Sequence, residues 1–224
     1  MLCEKPLVHD SDLTDNECRH RADHLVEVAQ SKGLLLGTQM QYVFAGPVIQ
    51  ELSGVDPDEI SRFSMVMQTK NVMPGRTHRI LWIDLAPHPI SLLQSLIPGI
   101  TLDASLAYEE RELEAIAVFR MRRPDGRTIR VSVEIGCVPG REPRREVVLN
   151  DSRVEYAGFQ DTDGVFKARI WNTGGETRVV PDFVNSLMGN FVRAHAGIEP
   201  LRVSGAMGAE NLDWLLRLSD PDLI

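Results

Sequence analysis

A succession of short β-rich segments in the middle and second half of the chain constrains its fold more than any other feature. These segments are 102–108, 114–122, 128–135, 146–149 and 153–156. Pro124-Asp125-Gly126 is typical of a hairpin turn, and Asn150-Asp151 joins the last two segments in the same way. Strands joined by such tight turns pair antiparallel. The sequence therefore predicts an open, mainly antiparallel sheet.

Helical segments flank these strands. An amphipathic helix is predicted over 13–32, with Asp12 or Thr14 as its cap and Gly33 at its end, followed by a buried strand over 34–40. Further expected elements are helices over 48–52, 88–96, 182–196 and 206–218, a strand over 60–68 and a polar connection over 71–79. The early strand–helix–strand order is typical of the edge of a parallel sheet. We therefore expect an α+β fold with two parts, 1–42 and 43–224.

Charge and cysteine content exclude several functional classes. A net charge of -8 and a pI near 5.3 argue against a nucleic-acid or anionic-membrane partner, and the basic cluster 141–145 is interpreted as a solvated loop or strand end. Cys3, Cys18 and Cys137 have no spacing typical of a disulfide framework or a metal site. The N-terminal residues do not resemble a signal peptide, and no run approaches about 18 apolar residues. We expect a cytoplasmic protein with a small-molecule substrate and no metal.

Glu4-Lys5-Pro6 is the first candidate for chemistry. A lysine beside a proline at the end of a buried strand has little freedom. In a partly desolvated site it can supply a tunable proton or a hydrogen bond to a reacting hydroxyl. The alternative is a surface lysine near a frayed N-terminus.

Asp84 and His88 are the second candidate. Four positions apart at the start of a helix, they can share one face, so that the carboxylate orients the imidazole. Removing a proton from a hydroxyl during hydride transfer requires a base, and histidine titrates in the range that suits this role. The alternative is a histidine at the start of a helix that hydrogen-bonds to the backbone.

Glu4-Lys5-Pro6 and the segment Asp84-Leu85-Ala86-Pro87-His88 together resemble the catalytic signature of the glucose-fructose oxidoreductase and inositol dehydrogenase family. Val203-Ser204-Gly205 fits a third family segment, which precedes a closing helix. The three motifs lie in the family's order, so the resemblance covers essentially the whole chain.

The sequence departs from the family pattern at three places. Ser91 stands where a second aspartate is common, and Ile80-Leu81-Trp82-Ile83 replaces a run that usually contains glycines. Gln41-Tyr42-Val43-Phe44 lacks a common arginine. We expect the bulky residues at 80–83 to narrow the substrate space or to alter the path of a loop.

The resemblance implies a function and a set of site residues. Lys5, Asp84 and His88 are expected to be catalytic, and Glu4, Lys5 and Pro6 to lie beside the cofactor, NAD or NADP. In this family the proline is often cis and the lysine contacts the substrate hydroxyl. Residues 1–42 then correspond to the end of a Rossmann domain, and 43–224 to a substrate domain whose sheet commonly forms a dimer interface. A homo-oligomer is expected.

A glycine-rich turn for a dinucleotide is missing from the sequence. No Gly-x-Gly-x-x-Gly follows a strand, so we expect this chain alone to bind the cofactor weakly or not at all. The first forty or so residues should then present a free sheet edge and an apolar face, which a dinucleotide-binding partner chain could cover.

Two functional hypotheses follow. The first is the substrate and catalytic half of an NAD(P)-dependent oxidoreductase that acts on a hydroxyl or carbonyl of a sugar, polyol or related small molecule, with Lys5 and His88 in proton transfer. The second is a non-catalytic dimerising or ligand-binding module, or a fragment that is inactive without a Rossmann half.

Overall fold

Two sheets and six α-helices make up the part of the chain that the computed structural model describes, residues 1–70 and 77–219. The strands are β1 (Leu2–Cys3), β2 (Gly37–Thr38), β3 (Arg62–Thr69), β4 (Thr101–Arg111), β5 (Glu114–Arg122), β6 (Thr128–Cys137), β7 (Arg145–Leu149), β8 (Ser152–Gln160), β9 (Phe166–Asn172) and β10 (Thr177–Pro181). The helices are α1 (Asp15–Ser31), α2 (Gly46–Ser53), α3 (His78–Leu85), α4 (Pro87–Leu96), α5 (Phe183–His195) and α6 (Gly205–Ser219).

The small sheet contains β1 and β2, which pair in parallel. Helix α1 connects the two strands in the chain. Thr14 caps α1, and Glu17 completes a capping box, so the predicted strand–helix–strand unit is confirmed. The strand expected over 34–40 is only two residues long and pairs with the equally short β1. On its other side the Thr38 amide donates to the Val203 carbonyl over 3.3 Å.

The large sheet has the strand order β10-β9-β8-β7-β3-β6-β5-β4. Every neighbouring pair is antiparallel except β3 with β6, so the expected open, mainly antiparallel sheet is confirmed. The two predicted turns are present, with Gly126 at φ 85° and Asn150 at φ 53°. Strands β9 and β10 were not predicted, although the alternation of Ala168 and Ile170 with polar residues is a strand signal.

One correction concerns the segment before Asp84. Positions 71–76 of the expected polar connection lie outside the described residues, and positions 78–79 belong to α3. Leu81, Trp82 and Ile83 are buried, and the Trp82 indole donates to the Leu215 carbonyl over 2.9 Å. These bulky residues therefore fill the core beneath the sheet, because α3 turns their apolar side chains toward β5, β6 and α6.

The core runs across the expected division at residue 42. Cys18 and Ala22 of α1 belong to the same buried cluster as Trp214 and Leu215 of α6. Arg19 also contacts Asp213 at 3.1 Å. The division into 1–42 and 43–224 stays a prediction.

None of the helices within residues 1–70 and 77–219 is both long and apolar enough to cross a bilayer.

Candidate active site

Lys5 lies just beyond the end of β1, and its peptide bond to Pro6 is cis. Its ammonium donates to the Asp84 side chain, with Nζ and Oδ1 2.5 Å apart, and also to the Asp84 backbone carbonyl. The Lys5 side chain is 13% exposed. The alternative of a surface lysine near a frayed terminus is therefore wrong. The fold brings together two predicted site residues that are 79 positions apart in the sequence.

Asp84 and His88 lie on consecutive helices, near the end of α3 and in the first turn of α4. Whereas Asp84 is partly exposed, His88 is buried at 5% exposure. Within the described residues the His88 Nδ1 atom has no hydrogen-bond partner. The imidazole therefore sits behind the Lys5–Asp84 pair with one ring nitrogen available.

The His88 imidazole is held in its neutral form. Burial, together with the positive charges of Lys5 and Arg145, lowers its pKa from 6.5 to about 3, and the Asp84 carboxylate partly opposes this shift. The expectation that His88 titrates in the physiological range is therefore wrong for this state of the protein. A low dielectric and two nearby cations disfavour a charged imidazole.

Tyr42, which the sequence did not identify as a site residue, contacts His88, and Tyr156 packs against Tyr42. The rings of Tyr42 and His88 lie 4.7 Å apart between centroids, and Tyr42 also contacts Tyr156 and Phe183 at 5.3 and 5.7 Å. Burial raises the pKa of both tyrosines, so they remain neutral phenols. The only sequence signal was the departure at Gln41-Tyr42-Val43-Phe44, where the family often has an arginine.

Arg145 is the other site residue that sequence reasoning missed. The sequence indicates a solvated basic cluster at 141–145, but Arg145 begins β7 opposite Met67 of β3 and is only partly exposed. Its Nε atom is buried and has no hydrogen-bond partner in the described part of the chain. The charges and prolines around it in sequence gave no sign of this position.

Ser91 occupies the place where the family often has an aspartate. It is fully buried, and its hydroxyl donates to the His88 carbonyl over 2.9 Å. Ser91 therefore supports the first turn of the helix that carries His88.

Of the predicted cofactor residues, Glu4 is exposed, whereas Lys5 and Pro6 are partly buried. The Glu4 carboxylate accepts a hydrogen bond from the Lys5 amide over 3.3 Å. Their contact with a cofactor stays a prediction.

The sequence matches no protein-family model and no curated protein, whereas the fold matches many solved structures. A UDP-N-acetylglucosamine 3-dehydrogenase from Acidithiobacillus ferrooxidans is 18% identical at a TM-score of 0.63, covering 99% of this chain and 70% of that one. A probable dehydrogenase from Thermotoga maritima is 16% identical at a TM-score of 0.64, with the same coverage of 99% and 70%.

A 3-ketoreductase from Actinomadura kijaniata, solved with NADP and TDP-benzene, is 16% identical at a TM-score of 0.62, covering 97% of this chain and 69% of that one. These neighbours are two dehydrogenases and a ketoreductase, and at such identities the likeness establishes the fold alone. This chain therefore has the fold of about 70% of each of those chains.

Proposed function

We propose that this chain is the substrate and catalytic half of an NAD(P)-dependent oxidoreductase that acts on a hydroxyl or carbonyl of a sugar, polyol or related small molecule. The observation that carries the proposal is the Lys5–Asp84 pair at the end of β1, with the buried His88 behind it. Neighbours with this fold include a sugar-nucleotide dehydrogenase and a ketoreductase solved with NADP.

In this proposal, Lys5 and His88 handle the proton of the reacting hydroxyl. Asp84 holds the Lys5 ammonium so that it donates a hydrogen bond to the substrate oxygen. His88 is neutral, which is the form that accepts a proton, and returns it in the reverse reaction. The nicotinamide cofactor, when bound, supplies or accepts the hydride.

The position of Lys5 and Pro6 suits the nicotinamide end of such a cofactor. Lys5 and Pro6 follow β1 of the parallel sheet, at the carboxyl end of a strand where ligands of α/β folds bind. The sequence contains no Gly-x-Gly-x-x-Gly to hold a pyrophosphate. We therefore propose that pyrophosphate binding comes from another polypeptide segment.

The surface around β1 supports such a partner segment. A cavity of about 200 Å³ is lined by Met1, Leu25, Val28, Ala29, Leu34, Leu35, Leu36 and His195. Met1 and Leu34 are 63% and 61% exposed. Apolar surface of this kind beside a short parallel strand suits a dinucleotide-binding unit that adds a strand to β1.

Nicotinamide fluorescence tests the proposal. NADH or NADPH is titrated into this chain alone and into a longer polypeptide in which a dinucleotide-binding unit precedes Leu2. We expect binding only by the longer polypeptide, because the glycine-rich turn is then supplied. Failure of the longer polypeptide to bind either cofactor would contradict the oxidoreductase assignment.

Substitution of His88 tests the proton-transfer role in the same longer polypeptide. His88→Ala should lower kcat by about 10²- to 10⁴-fold and leave cofactor affinity nearly unchanged. The matched control is His24→Ala, because His24 is exposed on α1. Equal turnover in His88→Ala and the unsubstituted protein removes His88 from the mechanism.

The second candidate is a non-catalytic dimerising or ligand-binding module. The observation that favours it is the deep burial of His88, which limits access of a substrate to the imidazole. Ligand binding without hydride transfer in the longer polypeptide would select this candidate.

A further inference from the structure

Two buried polar atoms behind the Lys5–Asp84 pair have no hydrogen-bond partner. They are Arg145 Nε and His88 Nδ1, both in the described part of the chain. The positive charge of Arg145 acts to lower the pKa of His88, Tyr42 and Tyr156, so the guanidinium lies near all three side chains. A buried polar atom without a partner costs free energy, and a ligand that bonds to Arg145 would remove part of that cost.

The sheet register places these groups side by side. Strand β7 pairs antiparallel with β8, with Glu146 opposite Glu155, and continuing this register by one residue sets Arg145 opposite Tyr156. Alternation along β7 puts Arg145 on the same face as the fully buried Val147 and Leu149. On this face Tyr156 contacts Tyr42, which in turn contacts His88.

The acidic residues near Arg145 already bind other groups. Asp84 binds Lys5, and Asp182 accepts from the amides of Val184 and Asn185 at the start of α5. Glu146 points to the opposite face of β7 and contacts Arg153 at 2.6 Å. Among the described residues, therefore, no carboxylate forms an ion pair with Arg145.

We propose that Arg145, with Tyr156 and His88, forms a subsite for a carboxylate on the substrate, so that the substrate class is a sugar acid. The inference rests on the proposed function, because it names the substrate of the same site. A guanidinium matches the planar, bidentate geometry of a carboxylate. One unpaired cation with neutral phenol and imidazole neighbours suits a single negative charge better than a phosphate dianion.

Binding of a carboxylate at this subsite also changes the pKa of His88. The Arg145 charge is one of the groups that lower the His88 pKa. A carboxylate bound to Arg145 offsets that charge and shifts the His88 pKa upward, while burial remains the main reason that it is low.

Calorimetric titration of the full chain with sodium glucuronate and with glucose tests the subsite. We expect glucuronate to bind more tightly than glucose, and Arg145→Met to weaken glucuronate binding about 10- to 100-fold while leaving glucose unchanged. Arg145→Lys keeps the positive charge but not the bidentate donors of the guanidinium, so it should give an intermediate loss of glucuronate affinity. The matched control is Arg153→Met, because Arg153 lies on the neighbouring strand and pairs with Glu146 on the opposite face.

A second measurement needs no variant, so it tests the subsite even if the Arg145 variants fail to fold. The ¹⁵N shifts of the His88 imidazole, followed with and without glucuronate in the unsubstituted chain, should move when the carboxylate binds. Equal affinity for the two sugars, binding of neither, or equal loss in Arg145→Met and Arg153→Met overturns the subsite. The cofactor titration of the longer polypeptide does not depend on these outcomes, so it tests the oxidoreductase assignment separately.

Discussion

At the residue scale, His88 shows how burial decides the state of a titratable group. Its position in the sequence suggested a base that titrates near neutral pH, but the folded chain encloses it among Tyr42, Lys5 and Arg145. The large desolvation cost of an imidazolium outweighs the attraction of Asp84, which is itself bound to Lys5. The neutral form is therefore favoured over the whole physiological range.

This burial predicts a pH-dependent stability. The unfolded chain binds a proton at His88 below about pH 6.5, whereas the folded chain binds it only near its pKa of about 3. The unfolded state thus holds more protons between these values, so the His88 contribution is complete above pH 6.5 and is lost as pH falls. The slope from this one group is at most about 1.4 kcal/mol per pH unit.

Urea denaturation at pH 7 and pH 5 measures this effect. His88→Gln should show a smaller loss of the free energy of unfolding between the two values than the unsubstituted protein. His24→Gln, which changes an exposed histidine, is the control and should keep the original loss. Identical losses in the two variants would rule out His88 as the source.

At the scale of elements, the start of α6 is positioned by close approach to β2. The Gly205 amide donates to the Leu36 carbonyl over 2.8 Å, and a side chain at Gly205 would collide with Leu36. A side chain at Gly208 would collide with Thr38. Ser204 caps the helix by accepting from the Met207 amide over 3.2 Å. Glycine is required here by space and not by backbone conformation.

Gly208→Ala should therefore destabilise the protein by about 1–3 kcal/mol, because the new methyl group forces α6 away from β2. Gly158→Ala is the matched control, since nothing lies within 4 Å of a methyl group at that strand position. Thermal or urea unfolding measures both. A Gly208→Ala protein as stable as Gly158→Ala would show that α6 and β2 separate freely.

At the scale of the whole molecule, the large sheet is covered by helices on one face. Ala115, Ala117 and Phe119 of β5 point to that face and are buried, whereas Ile116 and Val118 on the other face stay partly exposed. An open sheet face of this kind supports the proposed homo-oligomer, because pairing two copies would bury it.

Sedimentation of the purified chain tests this proposal. We expect a mass of twice the 25.1 kDa of one chain, and Val118→Glu should shift the population toward the single chain by placing a charge in the contact. Val165→Glu, in an exposed turn, is the control and should leave the mass unchanged. A single-chain mass for the unsubstituted protein contradicts dimerisation through the sheet.

Much of the local structure could be predicted from the sequence. The cap at Thr14, the hairpin at Gly126 and the turn at Asn150 depend on a few adjacent residues, whose backbone preferences act in any context. The motifs Glu4-Lys5-Pro6 and Asp84 to His88 likewise indicated the fold through resemblance. Helix α3 was missed because its apolar residues form a helix by packing onto the core.

Only the tertiary structure decided how distant segments meet. It placed β3 between β6 and β7, paired Lys5 with Asp84, and packed Tyr42 against His88 with the charge of Arg145 nearby. The pKa of His88 follows from this enclosure and not from its sequence neighbours. The sequence by itself determined the elements and the candidate residues, because local preferences act between neighbours. The tertiary structure determined their partners, burial and charge state, because these depend on contacts between segments far apart in the chain.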